Sequence, residues 1–322
     1  MLPMDFRRPT LDDVPAILAV VSDQPDFGAD DVREALTAPS FDPARDSWLA
    51  LAPDGTVVGW AYLDNPNGGD REFVEVYTHP ADGGAAQRPL LDLLLARVAE
   101  RAAEAGHPSV TVRAGALPSE ESYIGTLRAA GFEFVKRYAR MKRSLADLPP
   151  AEPLPPGVMI RLVRADDDAD MREFHRILDA AFRDIPDYAP LTYEQWRDKI
   201  AALPSVAWDE WFVASVDGEP AGILQSADQA IEQNEGWVKY LGVLRAHRRH
   251  GVGAALLAKA FAVYAAKGRD RAGLGVDLTN PTRAASLYTS VGMSPAYEAD
   301  MYELVIAQGD AVRVGRARSA AT

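Results

Sequence analysis

The chain has 322 residues, 48% hydrophobic and 25% charged, with a formal net charge of −13 and no cysteine. That length fits two domains of ~150 residues each, with enough apolar residues to build real cores. The missing cysteine excludes disulfides, thiolate metal sites and a cysteine nucleophile, and the acidic balance disfavours nucleic acid and anionic lipid as partners.

No apolar run reaches the ~18 residues of a membrane span. The opening "MLPMDFRRPTLDD" has no apolar signal core, so a cytoplasmic location is the expected default. In the first half, periodicity predicts a strand at 5–10, helices at 11–22 and 29–37, and strands at 47–55, 56–64 and 72–78. A helix at about 86–105, a strand at 109–115, a helix at 119–130 and a strand at 132–142 follow. Residues 145–157, "LADLPPAEPLPPG", hold five prolines and no apolar periodicity, which reads as a stiff exposed linker.

The second half repeats the order. A strand at 158–165 precedes a helix at 167–184 with an Asp-rich start, then a helix at 192–203. Strands at 210–217 and 220–228 flank an Asp-Gly turn, and a third follows at 236–243. A helix from Gly251 to about Lys267, a strand at 272–278, a helix at 282–291 and a strand near 297–306 complete the half. Repeated element order points to an internal duplication. Hairpins mixed with strand–helix–strand crossovers give an α/β class with a mixed sheet in each half. The expected division is 1–144, linker 145–157, 158–308 and a basic tail at 309–322.

The stretch "HRRHGVGAAL" (247–256) puts basic residues and two glycines directly ahead of a helix. Unpaired N–H groups at a helix start attract anions, and glycine allows close backbone approach. A Walker loop needs Gly-Lys-Ser/Thr, but Ala254 and Ala255 follow Gly253; a dinucleotide fingerprint needs a third glycine where Leu256 stands. What remains is Arg-x-x-Gly-x-Gly from Arg248 to Gly253, which resembles the acyl-CoA loop of the GCN5-related N-acetyltransferase (GNAT) superfamily. Downstream, "NPTRAASLYTSVGM" (280–293) is similar to that family's Asn-x-x-x-Ala-x-x-Leu-Tyr-x-x-x-Gly-Phe segment, with Met293 in place of the phenylalanine.

The resemblance implies two tandem GNAT-like domains, each a mostly antiparallel mixed sheet flanked by helices, with a splayed fourth/fifth strand pair. It implies acetyl-CoA as cofactor, bound by Leu241, Gly242 and Val243 of the splayed strand, by Arg248, Arg249, His250, Gly251, Val252, Gly253 and Ala254 of the loop, and by Asn280, Ala284 and Tyr288. Tyr288, a neutral O–H donor, would be the general acid for the leaving thiolate, with the Val243 N–H on the thioester oxygen. Glu235, ahead of the fourth strand, is the first candidate base. Lys239 on that strand opposes a cationic acceptor if it faces the site. Asp184 and Asp187 would line the acceptor pocket, while Asp300, with Glu298 and Glu303, would suit a polycationic amine. The five histidines have no metal-ligand spacing, so no metal is expected.

Aligning "AAGFEF" (129–134) with "SVGMSP" (290–295) puts Leu127 where Tyr288 stands, and "HPADGGAAQRPLL" (79–91) keeps neither the arginine nor the glycine pair. The first half resembles a degenerate, non-catalytic copy. The expected activity is acetyl transfer to a primary amine of a small molecule such as an aminoglycoside or amino sugar, by a monomer or homodimer without nucleic-acid or membrane partners. Alternatives are a mycothiol synthase-like enzyme, acting on a cysteinyl pseudo-disaccharide, and a non-catalytic acyl-CoA sensor or interaction protein.

Overall fold

The computed structural model describes residues 4–24, 28–37, 41–65, 69–150, 152–183, 185, 188–203, 205–279 and 284–307. The chain forms two compact units, Met1–Arg137 with Ala299–Thr322, and Tyr138–Glu298.

In chain order the elements are β1 (Asp5–Arg7), α1 (Val14–Val20), α2 (Ala29–Thr37), α3 (Pro43–Asp46), β2 (Ser47–Leu51), β3 (Val57–Asp64) and β4 (Arg71–Thr78). Then come α4 (Gln87–Ala105), β5 (Ser109–Ala116), α5 (Glu121–Ala129), β6 (Glu133–Ser144), β7 (Val158–Leu162), α6 (Asp168–Phe182) and α7 (Tyr193–Ala201). The last are β8 (Phe212–Val216), β9 (Glu219–Ala227), β10 (Glu235–Val243), α8 (Val252–Ala266), β11 (Arg271–Asp277), α9 (Ala284–Ser290) and β12 (Ser294–Ala307).

Local chemistry sets these boundaries. The Asp167 carboxylate accepts from the Ala169 and Asp170 N–H groups and starts α6, and a Thr192/Gln195 capping box starts α7. Asp217 and Gly218 take φ of 51° and 86°, the left-handed pair that a two-residue β8–β9 hairpin needs. The halves also share a staple between first strand and first helix. Arg7 donates to Asp13 at 2.8 and 2.5 Å, and Arg161 to Asp170 at 2.8 and 2.5 Å. The backbone N–H of Thr10 or Arg164 completes each carboxylate's shell.

In the first unit the strand order is β1-β2-β3-β4-β5-β12, antiparallel except for the parallel β4/β5 pair. One face packs on α4 and α5 through Leu90, Leu94, Val112 and Leu127; the other packs on α1 and α2 through Ile17, Val32 and Trp60. The second unit runs β6-β11-β10-β9-β8-β7, again antiparallel apart from β10/β11. Here α8 and α9 cover one face through Leu256, Phe261 and Tyr288, and α6 and α7 cover the other through Phe174, Trp196 and Trp211.

The units do not divide at the proline-rich stretch. Residues 138–144 of β6, sequentially in the first half, pair with β11, whereas residues 300–307 of β12 pair with β5. Each unit's sheet is therefore completed by a strand from the other half. The 145–157 stretch belongs to the second unit, held there by buried Leu145, whose N–H donates to Asp270 O, and by Leu148 on the same core. Among the described residues, no helix is long and apolar enough to cross a membrane.

Candidate active site

β10 and β11 run together only briefly. Glu235–Trp237 pair with Arg271–Gly273, and beyond that point the strands part. On its other side β10 stays paired with β9, with a bulge between Val238 and Tyr240 that leaves Lys239 exposed. The Leu244 N–H donates to Ala221 O at 2.8 Å on the β9 side. Strand alternation therefore turns the N–H groups of Leu241 and Val243 toward the parting.

From Val243 the backbone enters a turn in which Arg249 and Gly251 have φ of 67° and 77° before α8 begins. No backbone carbonyl among the described residues accepts from the N–H groups of Arg249, His250, Gly251, Val252, Gly253 or Ala254; the first helical bond is Ala255 N to Gly251 O. Among the described residues, six unpaired donors thus stand at the start of a 15-residue helix, an arrangement suited to an anion. Arg249 and His250 are exposed at its lip. Arg248 instead folds back, its Nε on Val243 O at 3.1 Å, and braces the turn against the strand end.

The glycines act chiefly through packing. A Cβ on Gly253 would meet Leu287 of α9 at 2.9 Å, and one on Gly242 would meet Ala181 of α6 at 2.9 Å. Gly242 therefore admits α6.

Tyr288 lies on the α8/α9 face, in one cluster with Val252, Leu257, Leu241 and Val243. Burial pushes its hydroxyl up to about 12, and that hydroxyl makes no hydrogen bond among the described residues. It is a protonated, uncommitted donor. Ala284 opens the same helix, whereas Asn280 lies outside the described residues, as do Asp184 and Asp187.

Glu235 occupies the opposite face. Its neighbour Gly236 faces Tyr264 of α8, so alternation turns Glu235 away from that helix. Its side chain is fully buried, with Arg140 Nη2 at 3.2 Å and Lys142 Nζ at 3.8 Å from its two oxygens. Gly273 makes room, since a Cβ there would stand 1.8 Å from Oε1. The second oxygen, Oε2, has no hydrogen-bond partner among the described residues. Arg140 also lies over the Trp237 ring, 4.9 Å from its centroid. Further along this face, Phe182 meets Tyr240 edge-on at 5.5 Å and Tyr188 at 6.0 Å. Burial raises Tyr240 and carries Tyr188 up to about 12.

The acidic strand expected to hold a polycation is already engaged. Asp300 is buried in the first unit with Arg137 Nε at 2.5 Å, and Glu303 pairs with Arg113 at 3.0 Å. Carboxylates satisfied in this way are not free for a ligand, so Asp300 is set aside as an acceptor-binding residue. Sequence reasoning missed Arg140 and Lys142, which arrive from the other half's strand, and the aromatic trio Phe182, Tyr188 and Tyr240. The trio's signal was the "FRDIPDY" stretch beside the bulged strand.

Residues 171–293 match the acetyltransferase (GNAT) family. The chain is 30% identical to mycothiol acetyltransferase of Streptomyces avermitilis, over 79% of this chain and 78% of that protein. It is 30% identical to mycothiol acetyltransferase of Salinispora tropica, over 90% and 91%. The chain belongs to the GNAT acetyltransferase family. A GCN5-related N-acetyltransferase from Sphaerobacter thermophilus superposes with TM-score 0.80 at 25% identity, over 95% of this chain and 98% of that one. A tandem GNAT protein from the clavulanic acid biosynthesis pathway shares the fold, with TM-score 0.60 at 18% identity over 95% and 99%. This GNAT chain is an acetyltransferase enzyme, which removes the non-catalytic reading.

The first unit has the corresponding elements built from different residues. β4 pairs with β5 only from Arg71 to Val74 and then parts from it. Its turn closes on itself, with Gly83 N on His79 O and Ala86 N on Gly83 O, and Arg88 is paired with Asp92. Leu127 is fully buried at the position matching Tyr288.

Proposed function

We propose that the second unit transfers the acetyl group of acetyl-CoA to the primary amine of a small acceptor bearing an α-amino group, of the cysteinyl mycothiol-precursor type. The observation that carries this reading is the continuous path from the parted β10 edge into six unpaired N–H groups, with the free Tyr288 hydroxyl beside it.

The fit to the cofactor follows from those donors. The turn N–H groups, with Arg249 and His250, suit a pyrophosphate, and the Leu241 and Val243 edge suits the amide groups of an extended arm. Acetyl-CoA, when bound, supplies an acetyl group activated as a thioester. The Val243 N–H stabilises charge on the thioester oxygen. Tyr288 delivers its hydroxyl proton to the departing sulfur. On the other face Glu235 Oε2, which accepts no hydrogen bond among the described residues, takes the acceptor's proton through a water.

Acceptor class follows from charge. Lys239 stands exposed on the bulged strand with its ammonium 5.8 Å from the Tyr240 ring centroid, and a nearby cation favours a neutral amine over an ammonium. An α-amine, with an ordinary pKa of about 7.7–8.0, reaches that form far more readily than an alkylamine at about 10.4. An aminoglycoside carries several cationic amines where a cysteinyl acceptor carries one, so the same cation repels it more, and that favours the cysteinyl acceptor. In the first unit, the closed turn and Leu127 support a non-catalytic role.

The test is an acceptor panel of cysteinyl glycosides, amino sugars and aminoglycosides, followed by thioester loss because a cysteinyl acceptor carries its own thiol. The cysteinyl compound is expected to be acetylated fastest. Tyr288→Phe should lower kcat about 100-fold while the KM for acetyl-CoA stays within about two-fold. A faster aminoglycoside would overturn the acceptor assignment, and an unchanged kcat in the variant would remove Tyr288 from the chemistry.

A further inference from the structure

The first unit carries a group of side chains that the reaction does not use, at the point where β4 leaves β5. The last β4/β5 pair is Val74–Ala114, so Glu75 is the first residue past it. Opposite Glu75 on β3 stands Tyr62, and opposite Tyr77 stands Trp60, so all four share one face. The rings form a continuous wall. Trp60 and Tyr62 are 4.6 Å apart by centroid, Trp60 and Tyr77 5.7 Å, and Phe41 meets Tyr62 edge-on at 5.9 Å. Trp60 forms the sealed back, while Phe41, Tyr62, Tyr77 and Glu75 are half-buried and reached by solvent.

Within that wall Glu75 lacks a cation. Its contact is the Tyr77 hydroxyl, which donates to Oε2 at 3.1 Å; no Lys, Arg or His among the described residues pairs with it. Burial carries its carboxyl up to about 7, with Asp64 and Glu120 adding in the same direction. The charged groups around it are acidic: Asp64 on β3, Glu120 ahead of α5, and Asp31 of α2 beside Tyr62. Arg101 acts on Asp64.

A second, independent feature points to a ligand. Tyr123 of α5, which packs on the other face of the sheet, is 3% exposed, and its hydroxyl has no hydrogen-bond partner among the described residues. That hydroxyl lies within the fields of both Glu75 and Glu120. A buried hydroxyl left unpaired is destabilising, so it marks a place where a partner belongs. The described carboxylates do not converge as a metal-binding group. An uncompensated carboxylate, an acceptor hydroxyl and aromatic faces together recognise an organic ammonium, through charge, N–H···O bonds and cation–π attraction.

We infer that the first unit binds a protonated primary amine in the gap where β4 leaves β5, between Glu75 and the Tyr62/Tyr77 wall on one face of the sheet and Tyr123 on the other. This site is separate from the acetyl-transfer residues and takes the cationic form of an amine, whereas the second unit requires the neutral one. Glu75 must be ionised to hold the cation, so affinity rises with pH through about 7 and levels off above it. Between pH 5.5 and 8 that amounts to a gain of about 30-fold.

The test uses the full chain, amine-free buffer and no acetyl-CoA, with propylammonium as the probe and propan-1-ol as its neutral analogue, both measured by calorimetry and by NMR shifts. Propylammonium is expected to bind and propan-1-ol not to bind. Glu75→Gln should lower affinity at least 10-fold, and Tyr123→Phe should weaken it several-fold. Tyr288→Phe and Glu235→Gln should leave it unchanged. Glu75→Gln preserves shape and removes a half-buried charge, so its fold, checked by circular dichroism, should be intact. Equal binding of propan-1-ol, insensitivity to Glu75→Gln, or loss of binding in Glu235→Gln instead would each overturn the assignment.

Discussion

Single residues show which parts of the site were legible in sequence. The α8 turn and Tyr288 could be read because they depend on neighbours within a few positions. Arg140 could not, because the carboxylate it grips is 95 residues away and reaches it through a strand that sequence order assigns to the other half. Gly273 belongs to the same illegible set. Its missing Cβ is what lets the Glu235 carboxylate lie flat in the sheet face, whereas a Cβ on Gly275, two residues along, would meet nothing within 4 Å. Gly273→Ala should therefore destabilise the chain by about 1–3 kcal/mol and dislodge Glu235. Gly275→Ala should be close to neutral. Denaturant unfolding of the two variants checks the contrast, and equal effects would remove the steric argument.

At the level of elements the sequence was read well, because helix caps, the Asp-Gly turn and apolar periodicity are local signals. The four-residue α3 escaped, being too short for any period to show. The arginine–carboxylate staple also escaped, since nothing in a linear pattern links a strand residue to a helix cap. It has a pH signature. A hydrogen bond from Arg7 holds Asp13 down at about 2. Burial pushes Asp170 up, but bonds from Arg161 and Arg164 outweigh that and bring it to about 2 as well. Each carboxylate is depressed below its ordinary 3.8. The stabilisation is thus complete above that value and lost as pH falls through about 2. Asp13→Asn and Asp170→Asn should each cost about 1–3 kcal/mol near neutrality. The difference from the parent chain should shrink between about pH 4 and pH 2, as thermal unfolding followed at each pH would reveal.

For the whole molecule, the duplication was visible but the exchange of closing strands was not. Periodicity identifies a strand without naming its partner, and the prolines at 145–157 marked a break in pattern rather than a boundary between cores. The exchange predicts that neither half is self-sufficient. A chain ending at Glu298 lacks residues 299–322, including fully buried Tyr302 and the Asp300 partner of Arg137. The first unit should then lose cooperative unfolding, seen through Trp48 and Trp60. A peptide of residues 294–307 supplied separately should restore it. Cooperative melting of the truncated chain on its own would show that β5 does not need β12.

The same exchange imposes a schedule on synthesis. β5 is complete at residue 116, yet the strand that covers its outer edge ends at 307. At about 5–20 residues per second, that edge stays bare for about 10–40 s while the rest of the chain is made. A bare edge invites pairing with other nascent chains, and a charge pointing from it discourages that. Arg113, at the middle of β5, is such a charge. Its partner Glu303, directly opposite on β12, is made 190 residues later, so the salt bridge forms only when the edge is covered.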